Sequence, residues 1–78
     1  MRIEYEQEND VAYVYLVDHI DEGEASVQVP VEDEDLRGDV ILDFDAQGFL
    51  LGIEIIGASR VLRPELLSAA AGEDAAPS

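Results

Sequence analysis

Cysteine, lysine and tryptophan are absent from this 78-residue chain, and histidine occurs once, at His19. Without cysteine there is no disulfide framework, no thiolate–zinc site and no cysteine nucleophile. Only four bases, Arg2, Arg37, Arg60 and Arg63, stand against 19 acids, for a formal net charge of −15. So acidic a chain repels a phosphate backbone, and no nucleic-acid partner is expected. The longest apolar run, Val11–Val17, is far below the roughly 20 residues that span a bilayer. Met1–Glu8 is charged and polar where a secretory leader would be apolar. A cytoplasmic protein with no membrane partner is the expectation.

The length allows one small domain, which buries only about 60% of the surface its unfolded chain exposes. The stability of such a chain is marginal unless something supplements its core, and with disulfides excluded a metal or a partner chain remains. High net charge is half of the disorder signature, but 47% of the residues are hydrophobic and they recur periodically, which argues for folding.

Arg2–Glu6 alternates, with Ile3 and Tyr5 on one side, as a half-buried strand does. Asn9-Asp10 suits a turn, because both side chains can bond nearby backbone N–H groups. Val11–Val17 follows, β-branched and aromatic on both faces, and should close a hairpin with the first strand. Glu24–Val31 sets Ala25, Val27, Val29 and Val31 on one face, and Pro30, which cannot donate to a ladder, assigns it to a sheet edge. Val40–Phe44 and Phe49–Ile56 form a second hairpin around Asp45–Gly48. Pairing Phe44 with Phe49, Leu42 with Leu51 and Val40 with Ile53 gathers six large apolar residues on one face. Gly48 then takes a positive φ.

Pro64, in the first position, and Glu65 mark the start of a helix with an apolar stripe of Leu66, Leu67, Ala70 and Ala71, to be ended by Gly72. The expected fold is α+β: a five-stranded, mostly antiparallel sheet of two hairpins plus an edge strand, with one C-terminal helix on one face. Residues 1–71 form the domain and 72–78 a flexible tail.

Several of these segments resemble the YuzE-like family of small uncharacterised proteins. They are Ile3-Glu4-Tyr5, the Asn9-Asp10 turn into Ala12-Tyr13-Val14-Tyr15-Leu16, Val40–Asp45, and Gly48–Ser59. The resemblance covers roughly residues 2 to 62 and implies a small, mainly bacterial α+β domain with no established activity. It supplies no catalytic or binding residue. The chain departs from the family pattern in its acidity and in Tyr15, where a charged or polar residue is common.

Asp43-x-Asp45-x-Gln47-Gly48, closed by Glu54, matches the EF-hand loop at its first, third, fifth, sixth and last positions. Calcium at Asp43, Asp45 and Glu54 is therefore an alternative to the expectation of no cofactor. The flanks, however, have the period of strands, and a turn held by Asp45 is the simpler reading. The acidic run Glu32–Asp35 and the Asp18–Glu24 loop read as solvated surface. His19 lies in that second loop with no nucleophile nearby in sequence, and no nucleophile–base pairing that would signal an enzyme is visible.

One helix covers one sheet face. Tyr13, Tyr15, Leu50 and Ile56 are then surplus apolar surface, expected to serve as an interface in a non-enzymatic interaction module. A homo-oligomer is the first expectation for its partner, a basic protein the second. Because carboxylate self-repulsion opposes folding, sodium chloride at molar concentration should raise the thermal midpoint, as read by circular dichroism. A midpoint that falls with salt would contradict the charge argument.

Overall fold

The structure, a computed structural model, describes residues 1–75. Its five strands are β1 (Arg2–Glu6), β2 (Val11–Tyr15), β3 (Val27–Val31), β4 (Asp39–Phe44) and β5 (Leu50–Ile56). Two helices follow, α1 (Ala58–Val61) and α2 (Pro64–Ala75). The strands form one sheet in the order β1-β2-β5-β4-β3, with every neighbouring pair antiparallel. The protein is thus an α+β domain. Pro30 does lie in an edge strand, and the chain crosses from β2 to that far edge before β4 and β5 fill the middle.

The β4–β5 register differs from the one expected. Leu42 pairs with Ile53 and Val40 with Ile55, two residues further along β5 than the uniform-face pairing put them. A bulge between Asp43 and Phe44 takes up the difference, so Phe44 pairs with Leu50 while Asp43 faces Gly52. Phe49 stays in the turn and is 70% exposed. Maximising apolar pairs missed this because a bulge adds a residue to one strand and shifts the register beyond it. Gly48 has the positive φ expected, 93°.

One face carries Ile3, Tyr5, Ala12, Val14, Ile53 and Ile55, and the helices pack on it. The core joins Ala12, Val14, Ile55 and Ala58, flanked by Ile3, Tyr5, Ile53, Val61, Leu62 and Leu67. Pro64 does begin α2, but the helix continues through Gly72 to Ala75; of the expected tail, 76–78 lie outside the described residues. A mid-helix glycine costs only about 1 kcal/mol, so it need not stop a helix. Among the described residues no helix is long and apolar enough to cross a membrane.

Asp10 ties the first hairpin to α1. It has φ 57°, a conformation that Asp tolerates better than most residues. Its Oδ1 accepts from the Tyr5 hydroxyl (2.7 Å) and the Ser59 N–H (2.9 Å), and its Oδ2 accepts from the Ser59 hydroxyl (2.7 Å). Its carbonyl accepts the N–H groups of Gly57 and Ala58, both at 2.9 Å. The hydrogen bonds from Tyr5 and then Ser59 hold the Asp10 carboxyl below the usual carboxylate pKa. A lowered folded-state pKa stabilises the protein above the unfolded value of about 3.9, and this contribution is lost as pH falls through the folded value. Asp10→Ala should therefore lower the urea midpoint at neutral pH by more than Asp10→Asn does. Both variants should lose less stability than the parent on acidification below pH 4 or so. Identical acid sensitivity in all three would contradict this role.

Candidate functional site: the tyrosine–carboxylate face

Among the described residues, no helix lies on the second face of the sheet. Register places its side chains in rows across the strands. Arg2, Tyr15, Gly52, Asp43 and Gln28 make one row; Glu4, Tyr13, Glu54, Ile41 and Pro30 the next. Glu6, Val11, Ile56 and Asp39 make a third. An aromatic and aliphatic centre is thereby set among carboxylates, with Arg2 the one base in these rows.

Asp43 is only 5% exposed. Its Oδ2 accepts from the Tyr13 hydroxyl at 2.6 Å and its Oδ1 from Gln28 Nε2 at 3.1 Å. A network of three side chains from β2, β4 and β3 thus bridges β5, and Gly52 makes that crossing possible. A Cβ on Gly52 would lie 2.5 Å from the Tyr13 hydroxyl oxygen and 2.6–2.7 Å from its ring carbons. Burial, then the hydrogen bond to Asp43 and its charge, raise the Tyr13 pKa, with Tyr15 and Glu54 adding to the effect. Tyr13 is therefore a neutral phenol at physiological pH, a donor and not a nucleophile.

Tyr15 meets Tyr13 edge-on, with ring centroids 4.8 Å apart and planes at 64°. The Arg2 guanidinium lies over the Tyr15 ring at 4.0 Å. The same group pairs with Glu4 at 3.4 Å and donates to the Asp18 carbonyl at 3.2 Å. A shallow depression of about 390 Å³ opens beside Tyr13, lined by Glu4, Tyr5, Glu6, Val11 and Tyr13.

Of the four residues expected at an interface, Tyr13 and Tyr15 are half-buried neighbours and Ile56 is exposed on the same face. Leu50 sits at the bulge opposite Phe44, outside the tyrosine rows. The three residues with calcium-loop spacing have separate environments. Asp43 is held by Tyr13 and Gln28. Asp45 Oδ1 accepts the N–H groups of Gln47 and Phe49, both at 2.9 Å, and so closes the turn. Glu54 lies up the strand, opposite Ile41. Among the described residues no three histidine or carboxylate side chains gather into a group that could hold a metal ion. His19 pairs with Asp21 at 2.8 Å, and both are well exposed.

Sequence reasoning missed Gly52, Gln28, Arg2 and the hydrogen-bonded role of Asp43. Two signals were present: a glycine inside a strand marks a close approach, and an aspartate inside an apolar strand needs a partner.

The fold and this face define a small one-sheet α+β domain with no recognisable catalytic constellation among the described residues. Residues 2–59 match the family of proteins of unknown function DUF2283, and the chain belongs to that family. Comparison with curated proteins gives no match, and comparison with solved structures gives none either.

Tyr13→Phe leaves Asp43 Oδ2 without its donor and should cost about 1–3 kcal/mol in urea denaturation, the usual penalty for an unsatisfied buried polar group. Gly52→Ala should destabilise as well, by pushing the Tyr13 ring off Asp43. If both variants keep the parent's midpoint, the bridge is not a structural element.

Proposed function

We propose that this protein is a small interaction module, without catalytic activity of its own, whose tyrosine–carboxylate face receives a basic segment of a protein partner. The observation that carries this reading is Arg2. The chain's own guanidinium already rests on Tyr15 within reach of Glu4, the arrangement that an arginine from a partner would adopt beside Tyr13 and Glu54. Arginine over a tyrosine face contributes roughly 0.5–1 kcal/mol at an exposed site, and the surrounding carboxylates add steering. Within DUF2283 we read the chain as YuzE-like, on its Ile3-Glu4-Tyr5 and Gly48–Ser59 segments.

Self-association through this same face is the less favourable occupancy. A two-fold contact is self-complementary, so it would set Glu4, Glu6, Glu54 and Asp39 against their own images with Arg2 alone to offset them. A basic partner meets no such repulsion.

The test is an amide chemical-shift titration with a short arginine-rich peptide. Shifts should concentrate at Tyr13, Tyr15, Glu4 and Glu54, weaken as salt rises, and diminish in Tyr15→Ser. Shifts spread equally over Glu32–Asp35 and unchanged in that variant would reduce the face to diffuse charge attraction.

A further inference from the structure

The helix-bearing face is only half covered. Helix α2 packs on β1, and the core draws on β1, β2, β5 and the two helices. Beyond it lie Val27, Val29 and Val31 of β3, which are 48%, 42% and 38% exposed. Their register partners Phe44, Leu42 and Val40 are half-buried. These six positions carry no charge, in a chain with 19 acids. The loop between β3 and β4 is tied to α1, its Arg37 carbonyl accepting from Arg60 Nε at 3.0 Å, and the three valines remain exposed.

We infer that a second copy of this chain covers the valine stripe, as a two-fold homodimer with Val29 near the axis. Three observations converge on that occupant. The six positions themselves give a basic partner no carboxylate to pair with, whereas a copy with net charge −15 is met with least repulsion over an uncharged contact. The isolated core is thin: among the described residues the buried hydrophobic ones are Ala12, Val14, Leu51, Ile55, Ala58 and Ala70, and no large side chain is fully buried. A domain of this size without disulfides is marginally stable, and a shared core would add to it. The stripe is also continuous with that core across β4, so a copy docked there extends it. This contact stands apart from the proposed partner face, being on the opposite side of the sheet.

The salt responses of the two surfaces have opposite signs. Screening weakens an acidic face bound to a basic peptide, but it strengthens an apolar contact between two acidic chains. Sedimentation equilibrium at high micromolar concentration should give twice the 8.5 kDa chain mass, with dimer dissociation reduced as sodium chloride rises. Val29→Glu should shift the mass to monomer, while Ser68→Glu, with the same added charge on the exposed side of α2, should not. Should Val29→Glu fail to fold, Val29→Cys provides a milder test, since the chain has no other cysteine. It should oxidise to a covalent dimer many-fold faster than Ser68→Cys. A folded parent of monomer mass at every salt concentration, or equal oxidation rates for the two cysteines, would overturn the inference.

Discussion

A helix of twelve residues is about 18 Å long and 10 Å or so wide, and it cannot cover a five-stranded sheet. Nearly everything else in this domain is a response to that shortfall. The helices shield the β1–β2 side of one face, where Ala12, Val14 and Ile55 are buried. The other half of that face is left to valines, and among the described residues no helix lies on the opposite face. The bare side has a different solution. Tyr13 lies across Gly52, Asp43 is held from both sides, and Arg2 rests on Tyr15. Polar groups and aromatic edges there can meet water, which an aliphatic surface does only at a cost.

The two open surfaces therefore differ in kind. One is uncharged and aliphatic, and it continues the core. The other is aromatic and acidic, with its buried carboxylate already satisfied. Asp43 has donors on both oxygens, so the network favours one arrangement of β2, β4 and β3 around the glycine. What remains available on that side is the ring surface and the ionised rim. The two proposed contacts, with a second copy and with a basic partner, use different residues and are therefore compatible.

Most elements were legible in the sequence, because local chemistry decides them. The alternation at Arg2–Glu6, the turn at Asn9-Asp10, the edge position of Pro30, the positive φ of Gly48 and the helix start at Pro64 each follow from a few neighbouring residues. Long-range pairings were not legible in the same way. The hydrogen bonds from Ser59 to Asp10 and from Tyr13 to Asp43 join residues 49 and 30 apart. The β4–β5 bulge also escaped notice, since Leu50-Leu51 offers two equivalent apolar choices and only tertiary packing selects between them. The spacing of Asp43, Asp45 and Glu54 was legible, yet extended strands carry those carboxylates apart where helical flanks would fold them together.

The two proposed contacts lie on opposite faces of the sheet, and intermolecular nuclear Overhauser effects tell the faces apart. Labelled and unlabelled chains are mixed, and contacts between copies are read selectively. Cross-copy signals should join the methyl groups of Val27, Val29 and Val31, and none should arise from the Tyr13 or Tyr15 rings. Cross-copy signals from those rings, with the valines silent, would contradict the account.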